Sequence, residues 1–129
     1  MPDTVIVGAE PVRRVDKPWG HELIYAETEQ YVGKIIFIRK GCRLSLQYHE
    51  QKDETMTLLS GVAELHVGPS KDDLRAVLLS QAESVRLRPG VVHRLVALED
   101  CEVLEVSTPE LLDVVRLSDD YGREETSAP

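Results

Sequence analysis

Cysteine is scarce: two residues in 129, Cys42 and Cys101. A small disulfide-stapled secreted scaffold carries more, so both are expected as reduced thiols in or near a core. Aromatic side chains make up only 5 % of the chain, with one Trp and one Phe. Ile, Leu and Val must therefore fill the interior. Positive charge is in deficit. Fifteen Lys and Arg against 23 Asp and Glu give a formal net charge of −8. That excludes a general binder of nucleic acid, which needs a basic face. A small anionic substrate stays open, because a few Arg and Lys can be gathered inside an acidic surface. No run approaches the ~20 apolar residues of a membrane span. The start MPDTVIVGAEP has no basic segment followed by a long apolar one. No membrane association and a cytoplasmic location are the expectations. Long amphipathic helical patterns are also missing, and no repeat or linker divides the chain, so one domain over residues 1–129 with frayed ends is expected.

What is present is a series of short strand patterns. Segments 21–28, 31–40, 43–49, 54–60, 62–67, 74–80, 84–88, 93–98, 102–108 and 111–117 are apolar or alternating, with turn formers between them. The pairs Lys40-Gly41 and Pro89-Gly90 and the run 68–73 read as turns or loops. Closely spaced strands and glycine-rich turns indicate an all-β sandwich or barrel.

Within LSLQYHEQKDETMTLLSG (44–61), Gln47 and His49 stand two apart on one strand and so share a face. Glu54 opens the next strand, with Met56 and Leu58 on its face. His93 begins a later strand, after Pro89-Gly90. These are either ordinary polar residues flanking strands or the parts of one site that a barrel would assemble. A Gln oxygen, two imidazoles and a carboxylate suit a divalent ion such as Zn²⁺, Mn²⁺, Fe²⁺, Co²⁺ or Ni²⁺.

The spacing of Gly41, Gln47, His49, Glu54 and Gly61 resembles the first motif of the cupin superfamily, with Gln47 in place of the first histidine. Pro89, Gly90 and His93 resemble the second motif, although Pro89 lies one place late and Ala97 replaces an asparagine. Within that superfamily the chain is similar to the cupin domain of mannose-6-phosphate isomerases and of the bifunctional mannose-1-phosphate guanylyltransferases. Ser45, Leu46, Gln47, His49 and Glu54 carry this likeness, with Lys52 in place of an Arg. So do Lys17-Pro18-Trp19-Gly20 upstream, and Asp113, Val115, Arg116, Asp119, Tyr121, Gly122 and Arg123 downstream. The chain departs from the bifunctional enzymes at Thr55-Met56, where they have His-Trp, and the nucleotidyltransferase domain is absent from this sequence.

The resemblance implies a jelly-roll barrel, or double-stranded β-helix. It implies a divalent metal, zinc foremost, held by Gln47, His49, Glu54 and His93. It implies aldose–ketose isomerisation of a phosphorylated sugar, with Lys52 and Arg116 as catalytic residues on the substrate side. Arg123 either binds phosphate or ties down the tail. Trp19 plugs one barrel end or stacks on a sugar. Alternation turns Arg94 away from the metal. Small cupins commonly pair, so a homodimer is expected. A metal-dependent dioxygenase and a non-catalytic sugar-binding cupin remain as alternatives.

Overall fold

The computed structural model describes residue 9, residues 11–110 and residues 112–124. The expected fraying of the ends falls largely outside these residues, as does Leu111, the expected first residue of the last strand. Among the described residues eleven strands are formed: β1 (Arg13–Lys17), β2 (Gly20–Glu27), β3 (Val32–Ile38), β4 (Leu46–Tyr48), β5 (Glu54–Ser60), β6 (Ala63–Ser70), β7 (Asp73–Leu78), β8 (Ser84–Leu87), β9 (Val92–Ala97), β10 (Cys101–Ser107) and β11 (Val115–Ser118). They make two antiparallel sheets, one of order β1-β2-β3-β10-β5-β8 and one of order β11-β4-β9-β6-β7. Among the described residues no helix is long and apolar enough to cross a membrane.

The two sheets face each other across a core set by strand alternation. Ile36 and Ile38 on β3, Met56 and Leu58 on β5, Leu65 on β6, Leu95 on β9 and Val103 on β10 all point inward and are buried. Trp19, only 2 % exposed, joins that core from the β1–β2 turn. Cys42 and Cys101 are free thiols. Burial pushes the Cys101 thiol up to about 11, so it stays protonated and inert.

Some boundaries differ from the sequence reading. β1 was not expected: Arg13-Arg14-Val15-Asp16-Lys17 has no apolar alternation, because it is an edge strand held by pairing with β2. Residues 68–70, read as loop, extend β6. Gly68 serves close strand approach there, since a Cβ on it would meet the Asp73 carbonyl oxygen at 1.8 Å. β4 is shorter than the expected 43–49 strand, and β11 begins at Val115.

Candidate metal centre

Backbone pairing assembles the site. Arg116 on β11 pairs with Gln47 on β4, and Gln47 pairs with His93 on β9. Directly paired residues point to the same side of a sheet, so these three form a row on its inner face. Glu54 faces them from β5, in the opposite sheet. The Pro89-Gly90 turn is tied to the first motif, because the Gly90 amide donates to the His49 carbonyl at 2.7 Å. Gly90 has φ of +88°, a conformation side-chain-bearing residues rarely adopt.

His49, Glu54 and His93 converge, with ligand atoms within 4.8 Å of one another, and all three are buried. Glu54 Oε1 lies 3.0 Å from His93 Nε2 and 3.5 Å from His49 Nε2. The far side of each ring fixes its tautomer. His93 Nδ1 is 3.0 Å from the Val91 carbonyl oxygen, and His49 Nδ1 is 2.5 Å from that of Asp113. A carbonyl can only accept, so both Nδ1 atoms carry the proton and donate it. Both Nε2 lone pairs therefore face a carboxylate oxygen when the rings are neutral. Three electron pairs converging in a buried site favour a positive charge between them, and backbone carbonyls orienting the far nitrogens are a recurrent feature of histidine ligands. The triad fits a divalent metal, and Gln47 lines the same cavity.

Glu54 also favours a proton on the facing ring of His93. Burial lowers His93, but the hydrogen bond and charge of Glu54 outweigh it and raise it above its ordinary value. Burial raises Glu54, yet its bonds to His49 and His93 and the charge of Lys52 hold it well below the usual carboxylate range.

The cavity opens to solvent, and the empty space in it and across its mouth together is about 590 Å³. Five cations line it, Lys17, Lys34, Lys52, Arg116 and Arg123, against three carboxylates, Glu22, Glu54 and Glu105. An acidic chain has thus concentrated cations in one place. Lys52 is only 5 % exposed despite lying in a polar link. Its Nζ sits 3.3 Å from Glu54 Oε2 and 3.4 Å from Glu105 Oε2. Burial lowers its pKa, but Glu105 and Glu54 raise it further, and the net direction is up. Lys52 is therefore an ammonium at neutral pH. Arg116 is 7 % exposed. Burial and the nearby Arg123 hold its guanidinium below its ordinary pKa. Arg123 grips Asp119 through Nε and Nη2, each at 2.9 Å, and it lines the cavity. Arg94 does turn away, donating to the Leu44 carbonyl at 2.9 Å. Trp19 and Met56 line the cavity wall. His21 stacks on Phe37, and His66 lies near Glu64, both away from the site.

Asp113 organises the link that carries Lys52. Its carboxylate accepts from the amides of Glu50, Gln51 and Lys52 at 3.1, 2.6 and 2.9 Å. Burial raises its pKa, but those amides outweigh it and lower it. A depressed carboxylate contributes stability that is present above its unfolded pKa, about 3.9, and lost as pH falls through the folded value. Asp113→Asn is expected to cost about 1–3 kcal/mol at pH 7. The gap between thermal melts of the two proteins should narrow as pH falls from about 7 to about 3. An equal gap at both pH values would count against this.

Two facing antiparallel sheets around an inward His/Glu/His triad define a cupin. The family described as mannose-6-phosphate isomerase C-terminal matches residues 8–119, and the chain belongs to it. It is 33 % identical over 116 residues to the xanthan biosynthesis protein XanB of Xanthomonas campestris pv. campestris, covering 86 % of this chain and 24 % of that protein. It is 32 % identical over 116 residues to the mannose-1-phosphate guanylyltransferase of Escherichia coli K12, covering 86 % and 23 %. The chain thus spans about a quarter of the length of these relatives. Among solved structures, KdgF from Halomonas sp. superposes with a TM-score of 0.63 at 20 % identity, covering 76 % of this chain and 88 % of that one. This last likeness speaks for the fold alone.

Two functional candidates were missed in the sequence, Lys34 and Glu105, and Glu22 stood in no motif that marked it. Each had a signal. Glu22 has the parity of Ile24, Lys34 that of Ile36 and Ile38, and Glu105 that of Cys101 and Val103. A charge on the apolar face of a strand must find an opposite charge inside.

Proposed function

We propose that this cupin is a divalent-metal-dependent aldose–ketose isomerase acting on a phosphorylated sugar. The carrying observation is the row of Arg116, Gln47 and His93 across three adjacent strands. Strands lie ~4.8 Å apart, so the row sets an anion contact about two strand spacings from the metal triad. A phosphorylated sugar has that layout, with its carbonyl carbons at one end and its phosphate at the other. Lys17 and Arg123 line the same cavity as Arg116 and supply more charge for a phosphate dianion.

Gln47, His49, Glu54 and His93 would hold the metal, zinc first, with Mn²⁺, Fe²⁺, Co²⁺ and Ni²⁺ as the other ions to test. When bound, it supplies Lewis-acid stabilisation of negative charge developing on the substrate oxygens. The residues do the rest. Arg116 orients the phosphate and so fixes which carbons reach the triad. Lys52 presents its ammonium to the substrate oxygens as a proton donor and charge partner. Met56, Leu95 and Trp19 keep the inner wall apolar and limit water.

The test is coupled conversion of mannose 6-phosphate to fructose 6-phosphate, repeated with other aldose phosphates and each metal restored. Turnover of at least one supports the reading, and none with metal-loaded protein overturns it. Oxygen uptake by an iron-loaded sample would favour a dioxygenase instead, and sugar binding without turnover a non-catalytic cupin.

We also propose a homodimer. Tyr25, Tyr31 and Val106 are 46–54 % exposed on or beside β2, β3 and β10 and offer apolar area for pairing. Sedimentation velocity at micromolar concentration should show a dimer. Monomer alone would remove the claim.

A further inference from the structure

Five buried charges alternate in sign across the inner face of the six-stranded sheet. They are Glu22 on β2, Lys34 on β3, Glu105 on β10, Lys52 in the link before β5, and Glu54 on β5. Each is at most 6 % exposed. Lys34 Nζ lies 3.3 Å from both carboxylate oxygens of Glu22 and 3.8 Å from Glu105 Oε2. Lys34 and Glu105 are also direct cross-strand partners. Glu105 Oε2 is 3.4 Å from Lys52 Nζ, which is 3.3 Å from Glu54 Oε2.

The ladder ends by dividing one carboxylate. Glu54 Oε1 faces the two histidine Nε2 atoms, while Oε2 faces Lys52. A carboxylate can bind a cation through one oxygen or both. We propose that Glu105 and Lys34 are positioning residues: they hold Lys52 against Oε2 of Glu54, so that Glu54 offers a metal one oxygen and a coordination position stays open for substrate. This rests on the metal reading but not on isomerase activity.

The charge sequence requires each member. A dication at the triad repels the Lys52 ammonium a few ångström away. Glu54 alone cannot serve both cations, and Glu105 supplies the missing negative charge. Glu105 has lysines on two sides, and Glu22 balances the second. Removing one partner of such a buried set leaves a charge uncompensated, so the effect of a distant member should pass along the ladder to Glu54.

The test counts metal-bound waters with Mn²⁺ alone as the probe, by water-proton relaxation of the loaded full chain, with metal per chain measured on the same samples. In Lys52→Met, Oε2 loses its partner and becomes a second donor to the ion. About one bound water fewer than in wild type is expected, at unchanged stoichiometry. Glu105→Gln keeps the side-chain shape and serves if Lys52→Met does not fold. It should move the count in the same direction by a smaller amount, and Lys34→Met by less again. A merely structural role would change melting temperature without changing the water count. Equal water counts in wild type and in whichever of Lys52→Met and Glu105→Gln folds, each with one Mn²⁺ per chain, would overturn the proposal and leave the metal reading standing. A wild-type protein that binds no Mn²⁺ would overturn both.

Discussion

His49→Ala and His93→Ala are each expected to purify nearly free of metal, with strand content by circular dichroism unchanged. Changes one step removed from a metal commonly cost 10–100-fold in affinity, and loss of a direct ligand should exceed that, so at least ~10²-fold weaker binding is expected. Both rings sit inside a cavity framed by backbone pairing, and the frame does not depend on them. Elemental analysis decides the matter. Full occupancy in both variants would mean that these histidines are not ligands. Protons compete for the same lone pairs. Because Glu54 raises His93, the competition begins as pH falls through the raised histidine range, so affinity should drop before the carboxylates titrate.

The second large effect separates binding from turnover. Lys52→Ala is expected to lower kcat by about 10²–10⁴, the range of general acid–base contributions, with KM nearly unchanged. Lys52→Arg keeps the charge but not the compact ammonium, and should preserve binding better than turnover. Arg116→Ala removes a charge-assisted contact of about 1.5–3 kcal/mol. KM should then rise by about 10–100-fold. A fall in kcat as well would mean that Arg116 acts in the transition state too. Steady-state kinetics on the sugar phosphate that the wild type turns over is the measurement. A Lys52→Ala variant with normal kcat would remove lysine from the chemistry.

The sequence shows some parts of this arrangement more clearly than others. Gln47, His49, Glu54 and His93 are legible because two turn glycines and strand alternation dictate where they point. Gly41 and Gly90 both have positive φ. Strands with apolar periodicity, such as 54–60, match the structure at both ends. β1 is illegible because an exposed edge strand carries no core residues, and its pairing partner alone defines it. The charge ladder is half legible. Parity places Lys34 and Glu105 inside, but only the strand order β2-β3-β10-β5 makes them neighbours of each other and of Glu54. That order joins β3 to a strand more than 60 residues away, a separation local pattern cannot bridge. Lys52 shows the converse. Its neighbours Glu50, Gln51 and Asp53 read as a solvated link, yet Asp113 folds that link inward from a distant segment.

The most direct test is one NMR time course on mannose 6-phosphate with metal-stripped protein, to which a divalent ion is added midway. The C1 and C2 proton signals of the aldose should stay constant before the addition. They should then decline as ketose C1 signals grow, at a rate proportional to protein concentration. An aldose spectrum that stays unchanged after the addition, with the metal shown to be bound, would contradict assignment to this substrate. Conversion at the same rate before and after would contradict the metal's role.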